Sequence, residues 1–448
     1  MVSRLIVASN RLPVSVVETS DGLSLSRSNG GLATALASLF QQDTSLWVGW
    51  TGLRRHITDK ELASLNIPPF LQPINLTDEE ITLYYDMFAN GILWPVAHGL
   101  AATTPFTEEQ WSAVQQVTKH FADTIERILQ PSDRIWIHDY HLILLPAELA
   151  RRGIKNKIGF FLHTPLPTAV DFQKLPHAAE LLSSLLSVDI LGMQVSRDVT
   201  RLHKIQQTMG IKKSRADIKA FPIGIDFDSF DSLNDSKDAL ALTSSIKKQV
   251  KDKTIILSMS RLDYTKGVRN QLHAFEALIA EYPERESLLY RLNVAPSRES
   301  VLEYRSLKNE IEALVQKINK KYGTKTWQPI DYTYENMGLE ELAAWYRASD
   351  IHFNVPVADG MNLIAKEYVA ARRDPGVLII SDTMGAAEQL QDAIIIPPED
   401  VAAAHAALLA AIKMPAHEKA VRWKKLRHNV KTHHVTKWAN DFIKALEK

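Results

Sequence analysis

The chain has 448 residues, enough for two or three domains that each bury a full core. Its 52 basic and 52 acidic residues balance, which removes the electrostatic case for binding nucleic acid or a membrane surface. Cysteine is absent, which excludes disulfides, thiolate metal sites and cysteine nucleophiles. The N-terminus lacks a secretory pattern, and no stretch approaches the roughly 18 apolar residues of a membrane span, so we expect a cytoplasmic location.

Short apolar runs alternate with helical patterns from one end of the chain to the other. In the first half the pattern predicts strands at residues 5–9, 46–50, 134–138, 157–162 and 190–193, and helices at 29–40 and 144–152. In the second half it predicts strands at 254–260, 291–294, 351–355 and 377–381, and helices at 301–321 and 339–348. Continuously apolar strands separated by helices are typical of α/β folds with parallel sheets covered on both faces.

A polar, turn-rich segment at residues 226–237 separates the two sets of strands and is the predicted linker. We therefore predict two doubly wound, Rossmann-like domains, 1–228 and 229–448, that face each other across a deep cleft. Clefts between domains are preferred ligand sites. The amphipathic segment at about 436–448 predicts a final helix, which is a candidate for packing back on the N-terminal domain.

The most informative stretch is 359–367, which joins the predicted strand 351–355 to a helix. Unpaired backbone N–H groups and the positive end of a helix dipole suit a phosphate at such a junction. Glu367 lies one helical turn beyond Leu363, where its carboxylate can accept hydrogen bonds from both hydroxyls of a ribose. Together these features indicate a nucleotide sugar, and an ordinary α/β loop is the alternative that this stretch alone leaves open.

Two cations, Arg261 and Lys266, follow the predicted strand 254–260 and can reach one diphosphate. They could neutralise the charge that develops on a departing nucleotide diphosphate, although a solvated pair is the competing interpretation. Adjacent Gly30 and Gly31 let a ligand approach the backbone closely. Neither a GxGxxG fingerprint nor a Walker A loop is present, so nicotinamide oxidoreductases and P-loop ATPases lose their usual support.

Further polar and aromatic residues follow other predicted strands. Asp139 can accept hydrogen bonds from sugar hydroxyls, and His163 is either a cleft residue or a packed core histidine. Tyr85 and Trp94 can stack on sugar rings or pack in a core, and Arg298 adds one more cation. No metal site is expected, because the two histidines that flank Asp139 and Tyr140 have no third ligand nearby in the sequence.

Taken in order, these motifs resemble the trehalose-6-phosphate synthase family of retaining GT-B glycosyltransferases. The matching segments span nearly the whole chain and lie at 9–11, 30–32, 47–50, 84–85, 93–95, 136–141, 160–163, 261–267 and 359–367. The resemblance implies transfer of glucose from a nucleoside diphosphate glucose, usually UDP-glucose, to glucose 6-phosphate. Trehalose 6-phosphate would be the product, and these small molecules would be the partners. Homo-oligomerisation is left open.

The resemblance also implies roles for individual residues. The donor would be held by Gly30, Gly31, His163, Arg261, Lys266, Met337, Asp359, Gly360, Met361, Asn362, Leu363, Ile364, Ala365, Lys366 and Glu367. The acceptor would be held by Arg11, Tyr85, Trp94, Asp139 and Arg298. Arg261, Lys266 and Asp359 would be catalytic, with the cations stabilising the leaving diphosphate while its oxygen takes the proton of the acceptor hydroxyl. No cofactor is expected.

Ala358 stands where the family often carries arginine, so the nucleotide (UDP, GDP or ADP) and the acceptor stay open. The alternatives are a synthase that uses glycerol 3-phosphate, a pseudo-glycosyltransferase that couples cyclitols, and a non-catalytic sugar-phosphate sensor. The motifs at 9–11 and 30–31 favour the trehalose reaction over glycerol 3-phosphate. Retention of Arg261, Lys266, Asp359 and Glu367 argues against the sensor.

Overall fold

The computed structural model describes residues 3–20, 22–27, 45–212, 214–298 and 301–448. The predicted helix at 29–40 and the Gly30-Gly31 pair lie outside these ranges. The chain divides into two compact units, one comprising Met1–Ile223 with Val435–Lys448 and the other comprising Gly224–His434. The division at 223/224 comes slightly before the predicted domain boundary at 228.

The first unit is built on a seven-stranded sheet whose described strand pairs are all parallel. Its strands are β1 Leu5–Arg11, β4 Ser45–Trp50, β5 Leu71–Ile74, β6 Arg134–His138, β7 Lys157–Leu162, β8 Ile190–Met193 and β9 Asp217–Ala220, in the order β5-β4-β1-β6-β7-β8-β9. A separate antiparallel hairpin comprises β2 Val14–Thr19 and β3 Gly22–Arg27. The central strand β1 is buried from Leu5 to Asn10, as expected for a strand covered on both faces.

Helices pack on this sheet. The α-helices are α1 Asp59–Ser64, α2 Asp78–Glu80, α3 Trp94–Ala97, α4 Glu108–Ile128, α5 Leu145–Arg151, α6 Ala169–Gln173, α7 Ala178–Leu185, α8 Ser196–Thr208 and, at the end of the chain, α17 Val435–Glu447.

A π-helix, Ile81–Leu93, joins α2 to α3. π-Helices are rare, and their single-turn form is frequent at functional sites. This one carries Tyr85 and leads directly into Trp94.

The last helix, α17, packs across strands β7 and β8 of the first unit through its aromatic residues. Phe442 stacks on Trp136, with ring centroids 4.5 Å apart. A Cβ atom on Gly159 or Gly192 would lie 2.7 Å from the Phe442 ring, so these glycines in the sheet make room for it. The C-terminal segment therefore completes the core of the unit that contains the chain's N-terminal strands.

The second unit contains a six-stranded parallel sheet. Its strands are β10 Thr254–Arg261, β11 Leu288–Ala295, β12 Ile330–Tyr334, β13 Ile351–Asn354, β14 Val377–Ser381 and β15 Ile394–Ile396, in the order β12-β11-β10-β13-β14-β15. Its α-helices are α9 Phe227–Ser232, α10 Lys237–Val250, α11 Val268–Glu281, α12 Leu302–Tyr322, α13 Leu339–Ala348, α14 Leu363–Ala371, α15 Val401–Lys413 and α16 Ala416–Thr432.

The segment predicted as a linker is largely helical, which corrects the sequence interpretation. Its polar residues act as helix caps: Asp226 accepts from the N–H of Ser229 at the start of α9, and Ser236 caps α10. The Phe227 side chain is buried, which anchors the segment in the second unit. Among the described residues, no helix is both long enough and apolar enough to cross a membrane.

Candidate functional sites in the two units

Strands β1, β4, β6 and β7 run parallel, so their carboxyl ends meet at one edge of the first sheet. Arg11 lies at this edge, with its guanidinium 4.7 Å from the centroid of the Trp50 ring and 3.0 Å from the Ser15 hydroxyl. Burial lowers the pKa of Arg11 from its ordinary value. A Cβ atom on Gly52 would lie 2.0 Å from this guanidinium, so a larger residue there would displace the Arg11 side chain.

The predicted aromatic residues Tyr85 and Trp94 lie near the same edge of the sheet and differ in their exposure. Tyr85 is partly exposed, contacts Trp50 edge-on at 5.8 Å and stacks on His141 at 5.6 Å. Trp94 is largely buried and packs against Tyr140 at 5.8 Å. Tyr85 is therefore available to a ligand at its edge, whereas Trp94 also serves the core.

Asp139 follows β6 in a backbone conformation that non-glycine residues rarely adopt, with φ 73° and ψ 164°. One carboxylate oxygen accepts a hydrogen bond of 3.1 Å from the backbone N–H of His163. Its own N–H donates to the carbonyl of Phe161. Two contacts to the neighbouring strand thus hold a partly exposed carboxylate in a strained position, a combination that often marks functional sites.

His163 is held at both ring nitrogens. Nε2 lies 3.1 Å from Nδ1 of His138, and Nδ1 lies 3.3 Å from Nε2 of Gln194. Burial lowers the pKa of His163 to about 3 and that of His138 well below its ordinary value, so both rings are neutral near pH 7. Within the described ranges, no group of three or more histidine, aspartate or glutamate side chains is arranged to hold a metal ion.

In the second unit, the predicted donor residues form a connected network. Lys266 donates to the carboxylate of Asp359 at 2.7 Å, and the side chains are only 9% and 14% exposed. Asn362 donates to the same carboxylate at 3.1 Å, and its own oxygen accepts from the N–H of Ala365 in the first turn of α14. Gly267 lets the loop that carries Lys266 pass close to the backbone of Val355. A Cβ atom on this residue would lie 2.5 Å from the carbonyl oxygen of Val355.

Helix α14 then presents two titratable groups side by side. Burial raises the pKa of Glu367 to about 7, and the hydroxyl of Tyr346 donates to this carboxyl group at 3.2 Å. Burial lowers the pKa of Lys366 to about 7, and its amine donates to the side-chain oxygen of Gln389 at 2.6 Å. Charge at the start of this helix therefore depends on pH around neutrality.

The remaining predicted cations differ in exposure. Arg261, at the end of β10, is exposed. Arg298 has φ 48° and lies 3.4 Å from the carboxylate of Asp263, which also accepts from the Tyr304 hydroxyl at 3.0 Å. Arg298 thus belongs to the second unit, next to the loop that carries the donor residues, whereas the other predicted acceptor residues belong to the first.

The other predicted donor positions form the loop before α14 or lie apart from it. Gly360 and Met361 follow Asp359, whose carboxylate accepts from the N–H of Met361 at 3.3 Å. Leu363, Ile364 and Ala365 form the first turn of α14, and Met337 lies in the segment between β12 and α13, partly exposed.

Several supporting residues escaped the sequence analysis. They are Gln194, Asn354, Tyr346, Gln389, Asp263 and Tyr304, which hold the predicted residues by hydrogen bonds. Four of them, Gln194, Tyr346, Gln389 and Asp263, are between 21 and 35 positions from the groups they hold, so no local motif indicates these contacts.

The chain is similar to several known proteins. The bifunctional trehalose-6-phosphate synthase/phosphatase of Thermoproteus tenax is 35% identical over 99% of this chain, which spans 63% of that relative. An E. coli structure bound with UDP-2-fluoro glucose matches with a TM-score of 0.89 at 31% identity, covering 100% of this chain and 99% of its own. A Burkholderia xenovorans α,α-trehalose-phosphate synthase (UDP-forming) in complex with glucose 6-phosphate matches with a TM-score of 0.89 at 28% identity, covering 100% of both chains. Because the model of glycosyltransferase family 20 matches residues 3–448, this chain belongs to that family.

Proposed function

We propose that this chain transfers glucose from UDP-glucose to glucose 6-phosphate, releasing UDP and trehalose 6-phosphate. Membership of glycosyltransferase family 20 and the activities named for the similar proteins support this reaction. The observation that carries the proposal is the Lys266–Asp359–Asn362 network at the start of α14, followed one helical turn later by Glu367. This order suits a nucleotide sugar, because it combines a cation and the N-terminus of a helix with a diol acceptor.

In the proposed donor site, the diphosphate meets Lys266, Arg261 and the N-terminus of α14, and the ribose meets Glu367. Asp359 holds Lys266 in place, which reduces the side-chain entropy lost when the diphosphate binds. Arg261 is exposed and free to move onto the ligand. The backbone near Met337 meets the base, and the resemblance also assigns Gly30 and Gly31 to the donor.

In the proposed acceptor site, Arg11 binds the phosphate of glucose 6-phosphate, and Arg298, a residue of the second unit, keeps the acceptor role that the resemblance implies. Tyr85 and Trp94 contact the sugar ring, and the Asp139 carboxylate accepts from its hydroxyls. Partial burial of Arg11 strengthens its attraction for a dianionic phosphate, since screening by water is reduced there.

The mechanism we propose needs no protein nucleophile. The bond between the glucose anomeric carbon and the diphosphate oxygen breaks, and its electron pair stays on that oxygen. The acceptor hydroxyl oxygen bonds to the same face of the carbon, and its proton passes to the departing phosphate oxygen. Arg261 and Lys266 stabilise the charge that grows on the diphosphate, so catalysis consists of positioning and electrostatic stabilisation.

The test is UDP release from UDP-glucose with and without glucose 6-phosphate, with mass analysis of the product. The proposal expects release that depends on the acceptor and a phosphorylated disaccharide. Glycerol 3-phosphate and cyclitol acceptors, and GDP- and ADP-glucose, are assayed in parallel. Binding of glucose 6-phosphate without turnover of any nucleotide sugar would instead identify a sensor.

Arg261→Ala tests the assigned chemistry. It should lower turnover by about 100-fold or more, because a group that stabilises the transition-state charge is lost. Arg269→Ala is the matched control, since Arg269 lies in the same unit on α11 and forms an exposed ion pair with Glu310. Near-normal turnover by Arg261→Ala contradicts the assignment.

A further inference from the structure

Asp263, in the loop that follows β10, carries a carboxylate that is only 2% exposed. Its oxygen Oδ1 accepts hydrogen bonds from the backbone N–H of Thr265 at 2.9 Å and from the hydroxyl of the same residue at 2.8 Å. Its backbone carbonyl accepts from the N–H of Lys266 at 3.0 Å. Asp263 therefore fixes the short 3₁₀ turn, Tyr264–Lys266, that presents the Lys266 side chain.

The other oxygen of this carboxylate contacts a second pair of residues. Oδ2 lies 3.4 Å from Nη1 of Arg298 and accepts a hydrogen bond of 3.0 Å from the hydroxyl of Tyr304 on α12. Arg298 also donates to the Tyr304 hydroxyl. The Arg298 side chain is 12% exposed, so both members of the ion pair are shielded from water. The two oxygens of Asp263 thus join the Lys266 turn to Arg298 within the second unit.

The charge of Asp263 depends on the cations around it. Burial raises the pKa of Asp263, but nearby positive charges, chiefly those of Arg298 and Lys266, outweigh burial and lower this pKa below its ordinary value. Asp263 is therefore ionised near neutral pH. Removing one partner of a buried ion pair is costly, because it leaves an uncompensated charge that favours any other cation within reach. Lys266 and Arg261 are the neighbouring cations that such a carboxylate would attract.

We propose that Arg298 is a positioning residue for the donor, because it is the counter-ion that keeps Asp263 from drawing Lys266 away from the diphosphate. This inference rests on the proposed function, which puts Lys266 at the donor diphosphate. Lys266 has three N–H donors and uses one of them on Asp359 at 2.7 Å. Without Arg298, the Asp263 carboxylate would compete with the diphosphate for the same amine. Arg298 thus supports donor binding without touching the donor, a role separate from the acceptor role that the resemblance implies.

Calorimetric titration of the full chain with UDP tests this role with no acceptor present. Arg298→Met should raise the Kd for UDP about tenfold, because it leaves the Asp263 charge without its partner. Asp263→Asn removes that charge but keeps an oxygen for the N–H of Thr265, so it should change the Kd by less than about threefold. The double variant should bind UDP as Asp263→Asn does. A direct contact between Arg298 and the donor could not produce this recovery.

Two further variants at the same position and its surroundings sharpen the test. Arg298→Lys keeps the positive charge and should bind UDP within about threefold of the wild type. Arg269→Met is the matched control and should leave the Kd unchanged, because its partner Glu310 is 53% exposed. If Arg298→Met does not fold, Tyr304→Phe replaces it. Loss of the Tyr304 hydroxyl removes a hydrogen bond to the same oxygen of Asp263 and should raise the Kd about threefold, an effect that Asp263→Asn should abolish.

The outcomes separate this inference from the proposed function. An unchanged Kd in Arg298→Met, or a tenfold rise that persists when Asp263→Asn is added, overturns the inference. If the wild type binds UDP but transfers no glucose to glucose 6-phosphate, the proposed function fails, and the same comparison of Kd values still decides the role of Arg298. A wild type that does not bind UDP contradicts both.

Discussion

We expect the carboxyl group of Glu367 to make binding of UDP-glucose depend on pH. Its pKa is raised to about 7 by burial, so the group is roughly nine-tenths ionised at pH 8 and roughly one-tenth ionised at pH 6. Only the ionised form accepts hydrogen bonds from both hydroxyls of a ribose. We therefore expect the Kd for UDP-glucose to rise about tenfold between pH 8 and pH 6.

The direction of the change in affinity with pH follows from the raised pKa of Glu367. Affinity that depends on the ionised carboxylate is fully present above the folded pKa and is lost as the pH falls through about 7. Lys366 gains its charge in the same range, since its pKa is lowered to about 7, and a new cation would strengthen rather than weaken diphosphate binding. Isothermal titration with UDP-glucose is the assay, because this ligand has no group that titrates between pH 6 and 8.

Two variants test the role of the Glu367 carboxylate. Glu367→Gln should bind more weakly than the wild type at pH 8 and should lose the weakening at pH 6. Tyr346→Phe should move the fall to higher pH, because the hydrogen bond from Tyr346 lowers the pKa of Glu367. Tyr332→Phe, in the same unit, is the control. A tenfold fall that persists in Glu367→Gln refutes the role of this carboxylate.

Three further predictions concern other predicted site residues. Lys266→Met should cost about 3 kcal/mol in urea unfolding, because it leaves the Asp359 carboxylate unpaired in a largely buried site; a loss below about 1 kcal/mol would mean that the pair is solvated. Substituting Asp139 by glycine should leave the protein more stable than substituting it by alanine, by about 1 kcal/mol, because glycine relieves the strained φ of 73°; equal unfolding midpoints would contradict this. Gly52→Ala should raise KM for glucose 6-phosphate at least about tenfold by displacing Arg11, whereas Gly99→Ala, which has a similar φ but open space around it, should not.

The central strands of both sheets could be predicted from the sequence, and the edge strands could not. All nine predicted strands are present, including β1 and β10, whose residues are apolar and buried on both faces. The missed edge strands are β5, β9, β12 and β15. Strand β5 contains Pro73, and β9 alternates charged residues with partly buried ones, so neither shows a continuous apolar run. The predicted family and the α/β fold with two Rossmann-like domains are confirmed.

The placement of candidate residues at strand ends was predictable from the sequence. Asp139 and His163 directly follow β6 and β7 of the first sheet, and Arg261 ends β10 of the second, because the parallel strands of each sheet bring their carboxyl ends to one edge. The residues that orient them were not predictable. Gln194 is separated from His163 by 31 positions, and their contact depends on how β7 pairs with β8. Periodicity predicts that two strands are present. It does not predict which side chains meet beyond the ends of those strands.

Glucosyl transfer with retained configuration is the central claim, and the product of a labelled donor tests it most directly. UDP-glucose carrying ¹³C at the anomeric carbon is incubated with glucose 6-phosphate, and the product is analysed by NMR. We expect the label to enter a phosphorylated disaccharide with α configuration at both anomeric carbons, and we expect Arg261→Ala to form this product far more slowly. Labelled free glucose, a β linkage, or no product that depends on glucose 6-phosphate would contradict it.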